Sequence, residues 1–320
     1  MKVLVTGGAG YIGSVVVEKL LAEGHEIEIL DNLSTGKREA VPDSVPLHEV
    51  DLLDRTGLFE LLETLRPEAV MHLAAVAVVP ESVADPGKYF LQNVSGSINL
   101  LDAMVTAGSG RIIFSSTAAV YGEPESLPII ETDRVKPTNP YGESKLMVER
   151  MLPWYSEAHD IRFGVLRYFN ASGATERNGE RREEETHLIP LILEAARGDR
   201  GAVSIFGTDW ETRDGTCIRD YIHVADLAEA HIRLLPVLEK TSGTFNLGCG
   251  ADGFTVREVI DAVERITGRR VPVKEDPRRA GDPAALVASS EKMRRETGWE
   301  PRHDLDQIVR SAWGWMNRES

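Results

Sequence analysis

Within PTNPYGESK, at 137–145, a phenol and an amine stand four positions apart as Tyr141 and Lys145. On a helix that spacing sets both side chains on one face within reach of each other. Pro140 suits the first turn of such a helix. A tyrosine next to a cation is a device for moving a proton. Free tyrosine titrates near pH ~10, so a base for neutral pH needs roughly three units of lowering, about 4 kcal/mol. A unit charge ~4 Å away at an effective dielectric of ~20 supplies about that much. Lys145 is one candidate for the cation, and a positively charged cofactor ring is another. The pair alone recurs by chance on exposed helices, so it needs company elsewhere in the chain.

Company comes from two places. RIIFSSTAAVYG (111–122) ends a β-like run in hydroxyl residues, where an open parallel sheet presents groups to a ligand. Thr117 can there meet the Tyr–Lys pair. At the N-terminus, VLVTGGAGYIGSVVVEKLL sets Gly7, Gly10 and Gly13 between a strand and an amphipathic helix. Gly7 permits the tight turn, Gly10 lets the backbone approach a pyrophosphate, and Gly13 lets the helix pack on the strand. Unsatisfied N–H groups at the helix start then face the phosphates. Asp31 closes the second β-like run at the distance where a carboxylate accepts from both ribose hydroxyls and repels a 2′-phosphate, which favours NAD over NADP. Lys37 and Arg38 follow on what reads as a solvated loop. Asp51 ends a third β-like run, placed to touch the adenine edge.

These groups need a scaffold. Apolar runs at 2–6, 27–31, 68–73, 111–116 and 162–168 alternate with amphipathic stretches at 12–23, 54–65, 86–107 and 141–158. Strand and helix in alternation imply an α/β fold, a doubly wound parallel sheet with right-handed crossovers. After about 172 the rhythm changes: HLIPLILEAARG and segments 224–238, 255–267 and 304–317 read as helices of a smaller, less regular C-terminal α/β lobe. The expected division is 1–171 for the nucleotide-binding domain, with strand or helix returns from the second half, and 172–320 for the substrate-binding lobe. The charge run GERREEE at 179–185 reads as a solvated loop without chemistry.

Composition bounds the partners. A formal charge of −15 disfavours nucleic acid or an anionic membrane. Two distant cysteines, Cys217 and Cys249, argue against a disulfide framework or a zinc site, so no metal is expected and a reducing, cytoplasmic setting fits. No apolar run approaches the ~18 residues of a membrane span, and the first residues lack a signal-peptide layout.

TGGAGYIG, YGESK and the Thr117 hydroxyl resemble the extended short-chain dehydrogenase/reductase superfamily, whose fold is Rossmann-type. LRYFNASGA (166–174), ETHLIPLI (185–192), IFGTDWETRDGTCIRDYIHVADLAEAH (205–231), FNLGCG (245–250) and RRAGDPAALVASSEKMRRETGW (278–299) closely resemble the UDP-glucose 4-epimerase family, over essentially the whole chain. The resemblance implies a resident NAD and a UDP-glucose/UDP-galactose substrate. It makes Tyr141 the base for the sugar 4-hydroxyl, helped by Thr117, while the C4 hydride passes to NAD⁺ and returns to the opposite face of a 4-keto sugar. Lys145 would hold the nicotinamide ribose and lower the tyrosine pKa. The implied cofactor contacts are Gly7, Gly10, Tyr11, Ile12, Gly13, Asp31, Asn32, Ser34, Asp51, Leu52, Leu73, Ala74, Ala75, Asn93, Ser115, Tyr141, Lys145 and Tyr168.

On the substrate side it implies Thr117, with Phe169 on the nicotinamide side and Asn170 and His187 beside the sugar or diphosphate. Leu188 and Phe206 would flank the uracil, Arg219 and Arg279 pair with the diphosphate, Asp282 meet a ribose hydroxyl, and Leu286 gate sugar size. A homodimer through 86–107 and 141–158 is also implied. His72 and His223 read instead as structural hydrogen-bonding residues at strand ends. Three positions depart from the family pattern: Ala77 stands where many relatives have lysine, His187 where asparagine is common, and Leu286 is neither large nor small. UDP-N-acetylglucosamine and UDP-glucuronate 4-epimerisation therefore stay open. A 4,6-dehydratase would want an Asp-Glu pair after Thr117, where Ala118 and Ala119 stand, and a non-catalytic NAD-binding regulator would have lost the Tyr–Lys pair.

Overall fold

The computed structural model describes residues 1–182, 185–249, 252–279 and 282–318. Its centre is a seven-stranded sheet with every neighbouring pair parallel. Along the first half run β1 (Lys2–Thr6), α1 (Tyr11–Ala22), β2 (Glu26–Leu30), β3 (Leu47–His48), α2 (Arg55–Leu65) and β4 (Ala69–His72). Next come α3 (Val79–Ala84), α4 (Pro86–Tyr89), α5 (Gly96–Ala107), β5 (Arg111–Thr117), α6 (Pro140–His159) and β6 (Arg162–Tyr168). The stretch expected as one helix over 86–107 is instead α4 and α5 joined through a wider π-helical turn, Phe90–Ser95.

The second half contributes β7 (Asn170–Ser172), α7 (Leu188–Arg197), β8 (Val203–Phe206), β9 (Ile218–Arg219), β10 (Tyr221–His223) and α8 (Val224–Leu234). It continues with β11 (Gly243–Leu247), β12 (Phe254–Thr255), α9 (Val256–Thr267), β13 (Val273–Asp276), β14 (Ala285–Leu286), α10 (Glu291–Thr297) and α11 (Leu305–Met316). The sheet order is β11-β6-β5-β4-β1-β2-β3, so the order reverses between β1 and β4. Ligands of open α/β sheets bind at such a switch point, beyond the carboxyl ends of the strands.

Both sheet faces are covered, which is why the strands read as continuous apolar runs. Val15, Val16 and Leu20 of α1 and Leu227 and Ile232 of α8 pack on one face. Leu58 and Leu62 of α2, Leu100 and Met104 of α5, and Val148 and Leu152 of α6 pack on the other. The sheet thus takes α8, α10 and its edge strand β11 from beyond residue 171. A separate core of α7, α9 and α11, with Ile192, Val259, Val263 and Ile308, forms the second lobe. Among the described residues no helix is long and apolar enough to cross a membrane.

Candidate active site

The glycine turn is built as its spacing requires. Gly7 has φ +73°, and a Cβ there would lie 2.6 Å from the Ala74 backbone nitrogen, just after β4. A Cβ on Gly13 would sit 2.0 Å from the Gly7 carbonyl, so α1 can approach β1 only because that position is bare. Gly10 starts α1 without a side-chain cap, and Gly10, Tyr11, Ile12 and Gly13 line a cavity of about 960 Å³. A helix start with N–H groups turned toward a cavity fits a phosphate.

Asp31 lies against this turn, accepting from the Ala9 amide at 3.0 Å and the Leu33 amide at 2.9 Å. Burial raises its carboxyl, while those two donors pull it back. Each oxygen keeps a lone pair for a ribose hydroxyl. Asn32 donates to Asp51 at 2.7 Å, and both line the cavity with Ser34, Leu52, Leu73, Ala74 and Ala75. The donor set fits a dinucleotide.

Across the switch point, Asn139 caps α6, accepting from the Gly142 amide at 2.9 Å, and Pro140 occupies its first turn. Tyr141 and Lys145 follow on one face, both lining the cavity with Ser115, Thr117 and Tyr168. Lys145 Nζ donates to the Ser115 carbonyl at 2.8 Å and lies 4.9 Å from the Phe114 ring centroid. Burial pushes this amine down to about 7, with the Glu149 carboxylate opposing. Burial also raises the Tyr141 phenol; the hydrogen bond with Thr117, and then the Arg182 charge, pull it down. The expected agent, Lys145, is turned to the strand-end carbonyl instead. Tyr168 is buried behind the pair, its hydroxyl 2.8 Å from His231 Nε2.

The same cavity continues past Phe169, Asn170, His187, Arg219, Arg279, Asp282 and Leu286. It adjoins a second space of about 360 Å³, lined by Leu188, Phe206 and Cys217 and sharing Arg219, Arg279 and Asp282. The Arg279 guanidinium stacks 3.7 Å from the Phe206 ring centroid, and Arg219 lies 3.9 Å from Asp282. Asn170 donates to the Asp220 carbonyl at 2.7 Å. Leu286 packs among Phe169, Leu146, Tyr121 and Ala288 at the cavity wall.

Two expectations shift. Asn93 is buried away from the cavity, bonded to both backbone groups of Val76 and to Ser144 of α6. It shapes the Leu73–Ala77 segment rather than facing the opening. Leu188 lines the smaller space together with Phe206, as a pair about one base would. The run at 179–185 is no solvated loop: Glu180, Arg181, Arg182 and Glu185 line the cavity, while 183 and 184 lie outside the described residues. Burial raises the Glu180 carboxyl against the pull of Arg182. Burial acts on Glu185 most strongly and the same way, but its 2.8 Å bond to His187 Nδ1, the His187 charge and the Thr186 and His187 amides together outweigh it and leave it lowered. Composition cannot separate a charge run folded over a cavity from one in water.

His72 and His223 are structural, as expected. His72 bridges Thr6 at 2.7 Å and Ser97 at 2.9 Å, and His223 accepts from the Ala225 amide while meeting Ser311 at 2.9 Å.

A Rossmann-type sheet with a glycine turn at its switch point, facing a Tyr–Lys pair and a strand-end threonine, defines a dinucleotide-dependent enzyme of the short-chain dehydrogenase/reductase class. Residues 3–248 match the NAD dependent epimerase/dehydratase family, and the chain belongs to that family. It is 47% identical over 320 residues to a UDP-glucose 4-epimerase of Lacticaseibacillus casei, covering 98% of this chain and 96% of that one. With the Corynebacterium glutamicum UDP-glucose 4-epimerase it shares 49% over 319 residues, covering 99% and 96%. The crystal structure of the Brucella ovis UDP-glucose 4-epimerase in complex with NAD superposes with a TM-score of 0.95 at 46% identity, covering 98% of each chain.

Proposed function

We propose that this protein interconverts UDP-glucose and UDP-galactose at C4, with Tyr141 Oη as the proton acceptor. One observation carries the reading: a single cavity joins the glycine turn, the Tyr141–Lys145–Thr117 set and the Arg219–Arg279 pair. NAD, when bound, supplies reversible hydride acceptance, which takes the sugar to its 4-keto form and back. The chain's own residues do the rest. Gly7 to Gly13 hold the cofactor's phosphates and Asp31 its ribose. Tyr141 takes the 4-hydroxyl proton and gives it back, while the Thr117 hydroxyl orients phenol and sugar. Lys145, bound to the Ser115 carbonyl, holds the nicotinamide ribose. Arg219 and Arg279 take the diphosphate, since guanidinium forks match phosphate oxygens. Leu188 and Phe206 flank the uracil. With the nucleotide held at this end, the sugar can turn and offer either face to one cofactor.

A uronate substrate needs a cation near its carboxylate. Arg182 lines the cavity, but Glu180 and Glu185 stand beside it and oppose a further negative charge. A neutral hexose is therefore preferred. The activity is tested by giving purified protein UDP-galactose without added cofactor and following the mixture by proton NMR. Appearance of UDP-glucose supports the reading; a blank result with NAD bound sinks it.

The working unit is a cytoplasmic homodimer. Exposed apolar side chains Leu91, Met147 and Trp154 lie on the 86–107 run and α6, the type of face that a second copy covers. Trp154→Glu should shift sedimentation toward the monomer, and an unshifted dimer would place the interface elsewhere.

A further inference from the structure

The mechanism above makes no use of the largest buried charge cluster beside it. Glu149, one turn beyond Lys145 on α6, is 8% exposed, and Arg167 of β6 is 6% exposed. Arg167 grips the Glu149 carboxylate through Nε at 3.0 Å and Nη2 at 2.6 Å, and the Ser116 hydroxyl donates to the same carboxylate. Ser116 lies between Ser115, which receives Lys145, and Thr117, which meets Tyr141. The network runs on: Arg167 Nη1 donates to the Tyr121 hydroxyl at 2.8 Å, and that hydroxyl donates to Asn246 at 2.7 Å. Asn246 in turn donates to the Ile129 carbonyl at 3.0 Å.

Such a cluster is a costly way to hold a helix on a sheet, because two desolvated ions often contribute no more than an apolar pair. Its position suggests another use. We propose that Glu149 is a positioning residue for the epimerase reaction: its buried carboxylate, fixed by Arg167 and Ser116, counters part of the burial acting on Lys145, so that more of the amine stays charged and seated on the Ser115 carbonyl. The inference rests on the activity proposed above.

Lys145 is buried, and burial is what pulls at its proton. Phe114 lies under it, His72 of β4 is buried and kept neutral partly by the Lys145 charge, and Tyr168 of β6 is buried in the same wall. Tyr141 shares its helix, and Tyr89 of α4 meets Tyr141 edge-on with ring centroids 6.4 Å apart. Arg167 adds a positive charge. Among these groups Glu149 is the one carboxylate, and its charge adds to the Phe114 ring face and the Ser115 carbonyl in favouring the charged amine.

The test uses the NAD-loaded protein and two neutral variants. Glu149→Gln removes the charge and keeps the shape; Glu149→Gln with Arg167→Met removes the whole pair and leaves no buried ion alone. Turnover of UDP-galactose is followed from pH 6 to 10, and the Lys145 amine is titrated by NMR of lysine-labelled protein, assigned with Lys145→Arg. Without Glu149 the amine titration and the alkaline limb of the rate profile should both move down by about one pH unit or more. Turnover at pH 8.5 should fall about tenfold. Glu149→Asp, which keeps the charge, should hold the titration close to that of the parent. An unmoved amine titration in either folded neutral variant overturns the proposal. A parent protein that fails to turn over UDP-galactose instead overturns the assigned activity, and the amine titration still reports on Glu149.

Discussion

The ammonium of Lys145 donates to the carbonyl of Ser115 at 2.8 Å, so the lysine grips the end of β5 while the tyrosine one turn earlier faces the opening. The two halves of a Tyr-x-x-x-Lys pair thus answer to different partners. Tyr141 answers to Thr117 and Arg182, and Lys145 to Ser115 and Glu149. The parting of these roles makes them separable by mutation.

Tyr141→Phe removes the proton acceptor and leaves the ring and the cavity in place. Turnover should fall by about 10²–10⁴-fold, the range for loss of a positioned acid–base group. NAD measured by absorbance after denaturation should stay at the parental level. Parental turnover in this variant would refute the base assignment.

Lys145→Met should make the apoprotein more stable while weakening its hold on NAD. Burial brings the folded amine down to about 7 from an ordinary 10.5. Between those pH values the unfolded chain keeps a proton that the folded chain has lost, so parental stability climbs as pH rises through the window. Methionine lacks this dependence. After discounting the lost bond to Ser115, the gain at pH 7 should be about 2 kcal/mol, shrinking toward pH 10. Urea midpoints at both pH values measure it, and a variant less stable than the parent at pH 7 contradicts it.

Acid should loosen the fold through three buried imidazoles. Burial lowers His72 to about 3, and His223 and His231 to about 4, from an ordinary 6.5. Below pH 6.5 the unfolded chain binds protons that the folded chain refuses, so stability falls with pH, levelling near 4 for His223 and His231 and near 3 for His72. Each histidine accounts for up to about 1.4 kcal/mol per pH unit. His231→Gln should flatten the slope between pH 6.5 and 5 by roughly a third, as one of three equal contributors. Denaturant midpoints across that interval provide the check, and equal slopes would exclude His231 as a contributor.

The elements that carry local signals were legible in the chain itself. The glycine turn, Asp31 and the Tyr–Lys spacing each depend on a few neighbouring residues, and periodicity marked most strands and helices to within a residue or two, although the helix expected over 224–238 stops as α8 at Leu234, ahead of Pro236, and the run expected to end at Asp51 pairs only as β3, Leu47–His48. What depends on distant partners was not legible. Asn93 looked like a cofactor contact until Val76 and Ser144 claimed its amide. The π-helical turn at Phe90–Ser95 leaves no trace in an amphipathic pattern. Arg182 and Glu180 read as a wet charge run, because nothing within a charged segment says that it folds across an opening.

Leu286→Tyr should narrow the sugar end of the cavity, since Leu286 packs beside Phe169 at its wall. Any turnover of UDP-N-acetylglucosamine should drop about tenfold or more relative to UDP-glucose, the scale of discrimination that pocket volume provides. A panel of UDP-sugars with and without the acetamido group tests it. Equal losses on both substrates would remove Leu286 from the gate.

The sheet closes with a strand from far downstream: β11 pairs along the outer edge of β6 from Gly243↔Gly164 to Leu247↔Tyr168. A nascent chain that has emerged only through α6 and β6 therefore carries a naked apolar border, open to any extended segment it meets. That border is covered only once β11 is in place, through Leu247. A truncated product ending near 171 should accordingly collect in inclusion bodies rather than persist as a free nucleotide-binding fragment.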